Sequence, residues 1–419
     1  MSWEEVKLKD ITLKLASGST PKGGKDSYIE EGISLIRSLN IHDFNFLYKD
    51  LAFIDRAQAK KLSNVIIEEN DILINITGAS VGRCTMVPKN VLPARVNQHV
   101  MIVRSNFEII DANFLLYLIN SKQYKSQLML LSETGATREA LTKDDISNFK
   151  IKLPLFAIQK KISKALSNYD DLIKNNNKRI KLLEEMAEEI YKEWFVRLRF
   201  PNYKNTKIID DIPDGWDYSK LVKYLEFFRG KSYSSKDIEC DEGLPFVNLK
   251  CINRNGGFRK DGIKVFCGQY KESNIAYSGD IMMAVTDMTQ DRAIVGRVGR
   301  VPKMDYEKFI FSMDLVRIEP LDIDKTFLYT FLRFSNIGLY LKEFANGANV
   351  LHLTPDIIYK VDALIPSKNI QKKYTKIIDP LLKEIDILEQ KNQNLKQTRD
   401  LLLPRLISGK LNIEDLDIK

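Results

Sequence analysis

The feature that most constrains this chain is a ten-residue phrase that it contains twice. "LPLFAIQKKI" begins at Leu153, and "IPSKNIQKKY" begins at Ile365. Each places an isoleucine four residues after the proline and follows it with Gln-Lys-Lys, and the two lie half a chain length apart in 419 residues. Because internal repeats mark repeated structural units, the chain is predicted to contain two similar modules.

The correspondence runs along the whole chain. Matching positions include Trp3 and Trp216, Gly18 and Gly230, Asp71 and Asp280, and Val81-Gly82-Arg83 and Val295-Gly296-Arg297. From Gly135 onward, "GATREALTKDDISNF" lies over "GANVLHLTPDIIYKV" without a gap. Each copy is therefore a unit of roughly 210 residues.

The first part of each copy has short β-rich runs separated by Gly, Asn, Ser and Pro, which predicts strands and turns. It ends with a helix start, capped by Thr142 in the first copy and by Thr354 with a following proline in the second. A strand that ends at Pro154 or Pro366 comes next. The pattern predicts two α/β modules.

The second part of each copy predicts a long helix of about 40 residues, or roughly 60 Å. Apolar residues recur there in steps of three and four, which is typical of a coiled coil. Pro380 predicts a kink or break, and Asn176 and Asn392 are polar positions at the seams. Two such helices in one chain most simply pair with each other, antiparallel. The seam positions are Ile158, Ile162, Ala165, Tyr169, Leu172, Ile180, Leu183, Ala187, Ile190 and Trp194, and Ile370, Tyr374, Ile377, Leu381, Ile385, Leu388, Leu395 and Leu402.

Composition narrows the function classes only slightly. The net charge of +8 is compatible with nucleic-acid binding, but it is spread along the chain, so a DNA surface would have to be a local patch. The four cysteines form no C-x-x-C pair, which argues against a zinc ribbon. The same pattern suits a protein of the reducing cytoplasm. Neither a signal peptide nor a membrane span is predicted, because no apolar run is long enough.

No catalytic motif is found in the sequence. Arg229–Ser232 resembles the end of a P-loop, but Leu225 stands where that motif needs its first glycine. With three histidines in the whole chain, neither a Ser-His-Asp set nor a histidine-rich metal site is indicated. The chain is therefore predicted to be a recognition or scaffold component.

These segments together resemble the specificity subunit of type I restriction-modification enzymes. The resemblance covers nearly the whole chain and rests on the order of its motifs. They are "NDILINITGASVGR" (Asn70–Arg83), "VNQHVMIVR" (Val96–Arg104), "LTKDDISNFKIKLP" before the first helix, "IYKEWFVRLRFP" (Ile190–Pro201), "GDIMMAVTD" (Gly279–Asp287) and "LLLPRLISGKL" (Leu401–Leu411).

The resemblance implies an α+β fold: two tandem α/β target-recognition domains separated by two long antiparallel (coiled-coil) helices. The expected bounds are 1–156 and 201–366 for the domains, 157–200 for the central spacer helix, and 367–419 for the C-terminal spacer helix and tail. Each domain would read one half of a split, asymmetric sequence in double-stranded DNA.

The resemblance also implies partners. Two modification subunits would dock on the helices and methylate adenine with S-adenosylmethionine. Restriction and translocase subunits, if present, would use ATP and Mg. None of these cofactors would bind to this chain, which is expected in the cytoplasm.

Two equivalent loops rich in hydroxyl, glycine and cationic residues suit phosphate contact, with solvated turns as the alternative. Their candidates are Ser19, Thr20, Lys22 and Lys25, and Arg229, Lys231, Ser232 and Tyr233. Arg37, Asn40, Asn248 and Lys250 follow a shared strand and could reach base edges or close that strand. The turn after the Asp-Ile strand adds Thr77, Ser80 and Arg83, and Thr286, Thr289, Gln290, Arg292 and Arg297; Arg138 lies in a further loop.

Four apolar residues are candidates for partner contact: Trp194, Phe195, Leu402 and Leu406. Their alternative is a place in the core, at the helix seam, or where the second helix packs on the first module. For the chain as a whole, the alternative function is a duplicated coiled-coil scaffold that binds proteins without recognising DNA. An enzyme with an unfamiliar site is the third possibility.

Overall fold

The chain forms two compact units in a computed structural model that describes residues 3–133, 140–289, 291–348 and 350–413. The first unit comprises Met1–Asn175 together with Asn392–Lys419, and the second comprises Asn176–Lys391. Within the described residues, no helix is both long and apolar enough to span a lipid bilayer.

The first half of the chain alternates short strands with short helices. Its elements are β1 (Glu4–Lys7), β2 (Thr12–Ser17), β3 (Ile33–Ile36), β4 (Ile41–His42), β5 (Asn45–Phe46), β6 (Ala52–Ile54), α1 (Arg56–Lys61), β7 (Ile72–Asn75), β8 (Cys84–Met86), β9 (Ala94–Val96), β10 (Val100–Ser105), α2 (Ala112–Asn120), α3 (Lys122–Glu133), α4 (Lys143–Ser147), β11 (Lys150–Leu153) and the long α5 (Phe156–Tyr191).

The second half has the same plan. Its elements are β12 (Ile208–Ile209), β13 (Ile212–Pro213), β14 (Asp217–Lys220), β15 (Leu225–Arg229), β16 (Leu244–Val247), β17 (Lys264–Phe266), β18 (Ile275–Ala276), β19 (Ile281–Ala284), β20 (Thr286–Asp287), β21 (Val298–Arg300), β22 (Phe309–Phe311), β23 (Leu315–Pro320), α6 (Lys325–Phe334), α7 (Ile337–Lys342), β24 (Leu351–His352), α8 (Asp356–Tyr359), β25 (Asp362–Ile365) and the long α9 (Lys368–Ile407).

Strand order shows that the sequence repeat is a structural repeat. The first unit has a four-stranded sheet in the order β2-β10-β7-β8, and the second has its counterpart in β15-β23-β19-β21. A second sheet in each unit contains one parallel pair, β3 with β9 and β16 with β22. The first strand of each unit pairs with the strand that precedes its long helix, β1 with β11 and β14 with β25.

The four-stranded sheet of each unit has a core on both faces, because side chains alternate along a strand. In β7, Ile72 and Ile74 belong to the core that contains the helices, and Leu73 belongs to the core on the opposite face. Strand β19 repeats this alternation, with Ile281 and Met283 on one face and Met282 and Ala284 on the other. Burial on both faces explains why these strands read as unbroken apolar runs.

The repeated phrase fixes the start of each long helix. In the first unit, Gln159 is fully buried, and its amide donates to the backbone oxygen of Pro154 at 2.9 Å. Its side-chain oxygen accepts from the backbone N–H of Asp111, which caps α2. Ser163, one turn later, donates to the Asp111 carboxylate. The phrase therefore joins a strand end, a helix cap and the long helix.

The second unit has the same contacts at the matching positions. The amide of Gln371 donates to the backbone oxygen of Pro366 at 2.7 Å, and its oxygen accepts from the backbone N–H of Asp324 at 2.8 Å. Asp324 caps α6, and Thr375 donates to its carboxylate at 2.6 Å. Since each glutamine satisfies buried backbone groups, the same residue is needed in both copies.

Segments of α5 and α9 contact each other within each unit, and in the second unit the contacts show that they run antiparallel. In the first unit, Asp170 of α5 forms an ion pair with Arg399 of α9. In the second unit, Arg179 of α5 pairs with Glu384 of α9 at 2.8 Å, and just after the end of α5 the ring of Trp194 lies 5.6 Å from that of Tyr374. In the second unit, later positions in this stretch of the chain thus meet earlier positions of α9.

The buried face of these helices differs from the predicted seam. The predicted seam residues Leu172 and Ile377 are 51% and 42% exposed, whereas the adjacent Ile173 and Ile378 are buried. In α9, burial follows four-residue steps through Ile370, Tyr374, Ile378 and Leu382. The reason is that these residues belong to the core of their own unit, so the helix follows its 3.6-residue period.

The break predicted at Pro380 is absent, because α9 continues through it. Proline removes one backbone N–H from the helix ladder. Ile378 and Leu382 are buried on either side of it, and Thr326 donates a hydrogen bond to Asp379. Tertiary packing therefore holds the helix across the missing hydrogen bond.

A carboxylate at the start of the central strand is paired inside each unit. In the first, the Asp71 side chain is buried and accepts two bonds of 2.8 Å from the guanidinium of Arg104 on the neighbouring strand. In the second, Asp280 pairs with Lys325 at 2.8 Å and lies 3.6 Å from Arg317. Both aspartates belong to the Asp-Ile motif that the two copies share.

Glu389 gives the second unit a pH-dependent stability. It lines a cavity of about 170 Å³ with Glu184, Asp386 and Arg333, and burial raises its pKa from 4.5 to about 7. Between these values the folded chain holds this proton more often than the unfolded chain does. The contribution of Glu389 to stability therefore falls as the pH rises from 4.5 to 7.

We expect Glu389→Gln to raise the free energy of unfolding by about 1–3 kcal/mol at pH 8 and to have little effect near pH 4.5, because the amide needs no proton. Urea unfolding at both pH values measures this. Glu384→Gln, on the same helix, is the control and should change stability by less than about 1 kcal/mol. A variant less stable than the wild type at pH 8 would mean that attraction to Lys260 outweighs burial.

The sequence predicted reduced cysteines, and two of the four are oxidised in the structure. Cys240 and Cys267 form a disulfide across a separation of 27 residues, and Cys84 and Cys251 are free and buried. The sequence pattern favoured reduced thiols because it contains no C-x-x-C pair. A pair of cysteines this far apart has no comparable signature in a sequence.

Candidate DNA interface

Three loops of the first unit meet at one edge of the four-stranded sheet. Strand β10 is antiparallel to both β2 and β7, with Met101 opposite Ser17 and Val100 opposite Asn75. The ends of β2 and β7 therefore lie beside the beginning of β10. We call residues 18–25, 76–83 and 97–99 the first loop edge.

Hydrogen bonds join these three loops directly. The backbone N–H of Gly18 donates to Asn97 at 3.2 Å, and the hydroxyl of Thr20 donates to the Gln98 side chain. The hydroxyl of Thr77 lies 2.6 Å from Nδ1 of His99. The first loop edge is thus one connected surface made by segments distant in sequence.

The second unit builds the same edge at the matching positions. Arg229 lies opposite Val316, and Ala284 lies opposite Leu315, so the ends of β15 and β19 meet the beginning of β23. We call residues 230–236, 285–297 and 312–314 the second loop edge. Its loops are joined by two backbone hydrogen bonds of 2.9 Å, from the N–H of Met313 to Lys231 and from the N–H of Val285 to Asp314.

Both edges depend on a glycine that the sequence repeat identifies. A Cβ atom on Gly18 would lie 1.7 Å from the backbone oxygen of Val96, and one on Gly230 would lie 2.0 Å from that of Ser312. Such distances leave no space for any side chain. The glycines allow the loop after the first strand of each sheet to approach the other loops.

In the first loop edge, Ser19, Thr20, Lys22 and Lys25 are exposed, and Thr77, Ser80 and Arg83 are half-buried. Hydroxyl and ammonium groups are thereby presented together with one guanidinium. Such groups suit contacts to phosphate oxygens and base edges.

In the second loop edge, a buried carboxylate organises the longest loop. Asp287 accepts from the backbone N–H of Thr289 at 2.7 Å and from that of Ile294 at 3.0 Å. Arg292 has a left-handed backbone (φ 52°), and its guanidinium lies 3.7 Å from Glu343. Around this loop, Arg229, Ser232 and Tyr233 are exposed, and Lys231, Thr289, Arg292 and Arg297 are half-buried.

Burial raises the pKa of the Tyr233 phenol, and the nearby Asp314 carboxylate raises it further. The phenol therefore stays protonated and able to donate a hydrogen bond. Its ring packs edge-on against Phe246, with 4.8 Å between ring centroids. Tyr233 is thus held in place at the edge while its hydroxyl is available.

Three predicted contact residues are structural instead. Asn40 is fully buried, donates to the backbone oxygens of Leu47 and Lys49, and closes the turn after β3. Asn248 does the same after β16 by donating to Gly262 at 2.7 Å. Thr286 is buried and donates to Asp314 at 3.0 Å. Their side chains satisfy the fold and do not face solvent.

The two neighbouring cations differ, because the guanidinium of Arg37 donates a hydrogen bond to the backbone oxygen of Asp50. Lys250 is exposed, and Arg37 is half-buried, with its guanidinium 5.3 Å from the centre of the Tyr28 ring. The predicted candidates Arg138 and Gln290 lie outside the described residues. Asn75, which the sequence analysis did not single out, donates to Ser38 and to Ser80 and so links two turns. A polar residue at the end of an apolar strand was its only signal.

The predicted partner residues lie within their own units. Trp194 is buried, and Phe195 packs between Tyr374 and Phe327 with ring centroids 4.7 and 4.9 Å away. Leu406 is fully buried in the core of the first unit, and Leu402 packs against that core. All four residues therefore have the core contacts of the alternative, and their contact with a partner stays a prediction.

Comparison with known proteins identifies the repeated architecture. A family model described as the type I restriction modification DNA specificity domain matches residues 1–185 and again residues 213–397. The two matches are offset by the same number of residues as the repeated phrase. The matched segments span most of the chain.

Curated relatives align over nearly their full length. The type I restriction enzyme MjaIX specificity subunit of Methanocaldococcus jannaschii is 27% identical over 99% of this chain and 94% of its own. The HindI specificity subunit of Haemophilus influenzae is 22% identical over 98% of this chain and 99% of its own. The crystal structure of a type I S subunit from M. genitalium has a similar fold, with a TM-score of 0.58, 16% identity and 96% of each chain covered.

Proposed function

The chain belongs to the type I restriction modification DNA specificity family and is therefore a DNA sequence-specificity subunit, not an enzyme. From this premise we propose the way in which the two units recognise DNA. Each unit reads one half of a split, asymmetric target in double-stranded DNA, and its loop edge makes the contacts. The observation that carries this proposal is one framework in both units with different side chains at the two loop edges.

The contrast between framework and loops supports this assignment. Positions that hold the fold are alike in the two copies, as with Gly18 and Gly230 or Gln159 and Gln371. Loop-edge positions differ: "ITGAS" precedes the shared Val81-Gly82-Arg83, whereas the longer "VTDMTQDRAI" precedes Val295-Gly296-Arg297. Two readers with one scaffold and different contacts suit two different half-sites.

We further propose that α5 and α9 form the spacer between the two reading units. Each helix contributes residues to both units, since α5 spans 156–191 and α9 spans 368–407. A rigid helical pair would fix the number of base pairs between the half-sites, as dimer geometry fixes half-site spacing in other DNA-binding proteins. The contacts between the two helices within each unit support this role.

The partners in this proposal are two modification subunits and, where present, restriction and translocase subunits. The modification subunits would bring S-adenosylmethionine and methylate adenine. ATP and Mg would act in the restriction subunits, and this chain would bind none of these cofactors.

A salt series tests whether the assembled chain recognises DNA as proposed. The complex with modification subunits is titrated with random duplexes and with the methylated target sequence at increasing salt. Phosphate contacts release counterions, so affinity should fall steeply with salt, and the target should be preferred at every concentration. A flat salt response without sequence preference would favour a protein-binding scaffold.

We expect Arg83→Ala and Arg292→Ala each to weaken binding to the target duplex by about 1–3 kcal/mol, because each removes a guanidinium from a loop edge. Fluorescence anisotropy with the assembled complex measures the affinities. Lys181→Ala, an exposed change on α5, is the control and should leave DNA affinity unchanged. Wild-type affinity in both arginine variants would remove these turns from the interface.

The helices also offer a docking face for a modification subunit. Leu182 and Met186 are one turn apart on α5 and are 58% and 51% exposed. We expect Leu182→Glu with Met186→Glu to reduce capture of modification subunits at least tenfold without loss of thermal stability. Capture on immobilised chain measures this, and Lys181→Glu with Glu185→Lys is the control. Unchanged capture would place docking elsewhere.

A further inference from the structure

The second loop edge carries exposed apolar side chains that the first does not. Met288 is 76% exposed and Met313 is 49% exposed. Counting outward from the paired residues Asn75 and Val100, and Ala284 and Leu315, gives Ala79 and Gln98 as the corresponding positions of the first loop edge. Two methionines in the second unit thus stand where the first unit has a methyl group and an amide.

Hydrogen bonds hold the backbone of Met313 and the two residues on either side of Met288. The N–H of Met313 donates to the backbone oxygen of Lys231 at 2.9 Å. Met288 lies between Asp287, which is buried, and Thr289, whose hydroxyl donates to Asp287 at 2.6 Å. Neither methionine belongs to a hydrophobic core of the described chain. Exposed thioethers on a fixed backbone are suited to an apolar ligand.

The surroundings indicate DNA as the ligand. Arg229 is exposed and Lys231 is half-buried on the adjoining loop, and both carry charge that suits phosphate. In the major groove of DNA, the apolar feature of a base pair is the C5-methyl group of thymine. A methionine side chain can contact that methyl group, whereas Gln98 at the matching position of the first unit can form hydrogen bonds.

We propose that Met288 and Met313 contact thymine methyl groups in the half-site that the second unit reads. These apolar contacts add to those of the polar side chains at the same loop edge, and the first loop edge has no methionine to match them. The inference rests on the proposed function, because it names the base chemistry read by one of the two units.

Replacing thymine by deoxyuridine tests this directly, since the exchange removes only the methyl group. Target duplexes with single exchanges at each thymine of either half-site are titrated with the assembled complex. At one or more positions of the second unit's half-site, affinity should fall about three- to tenfold. Exchanges in the other half-site should have little effect.

Met288→Ala and Met313→Ala test which thymine each methionine contacts. Each variant should bind the thymine duplex more weakly and should lose its sensitivity to deoxyuridine at the position that it contacts. Met129→Ala, which changes a methionine of the first unit that is 48% exposed on α3, should retain wild-type sensitivity.

Three results would overturn the inference alone: specific binding without deoxyuridine sensitivity, a second half-site that contains no thymine, or full sensitivity in both alanine variants. Absence of specific DNA binding by the wild-type complex would instead overturn the proposed function.

Discussion

Replacing Leu406 by alanine is expected to lower the free energy of unfolding of the first unit by about 2–5 kcal/mol. The side chain is fully buried in a core that includes Ile162 and Leu166 of α5. Truncation removes buried apolar surface and leaves a cavity that the surrounding helices fill incompletely. Urea unfolding followed by circular dichroism measures the change.

Leu401→Ala on the same helix is the matched control, because Leu401 is 67% exposed. It should change the free energy of unfolding by less than about 0.5 kcal/mol. Equal, small effects of both substitutions would show that the end of α9 is not part of the core. They would restore the interpretation of this leucine-rich segment as a docking strip.

Replacing Arg104 by alanine should lower the free energy of unfolding of the first unit by about 3 kcal/mol. Asp71 would remain buried without the guanidinium that donates to both of its oxygens. One partner stays, because the backbone N–H of Glu68 donates to Asp71 at 2.7 Å. The loss is therefore expected at the lower end of the range for a broken buried ion pair.

The pair formed by Lys89 and Glu69 is the control for this effect. Their side chains are 80% and 55% exposed, so Lys89→Ala should cost less than about 1 kcal/mol. The double variant Arg104→Met with Asp71→Leu should recover most of the lost stability, since it removes the unpaired charge. An Arg104→Ala variant as stable as the wild type would contradict the importance of this pair.

The sequence predicted the framework better than the interface. Repeats identified Gly18 and Gly230 as equivalent, and both allow a close approach of backbone that no side chain would permit. Thr142 caps α4 through a reciprocal bond with Asp145, as its spacing predicts. The role of such positions depends on neighbouring residues or is repeated in both copies, so it can be predicted from the sequence.

The interface could not be predicted in the same way, because it is assembled by contacts between distant segments. Asn40 and Arg37 are near neighbours in sequence, yet the first is buried in a turn and the second is half-buried against Tyr28. Similarly, Trp194 belongs to a core because Tyr374 packs on it from the other long helix. Polar or aromatic residue type alone does not decide between contact with a ligand and contact with the fold.

The central claim is that each unit reads one half of a split DNA target independently. It is tested most directly by mapping methylated adenines in cells that contain the modification subunits and either the wild-type chain or a variant of one loop edge, such as Met288→Ala with Met313→Ala. The account predicts that base preference changes only in one half of the motif, while the other half and the spacing stay the same. Changes in both halves, or a methylation pattern that does not depend on this chain, would contradict it.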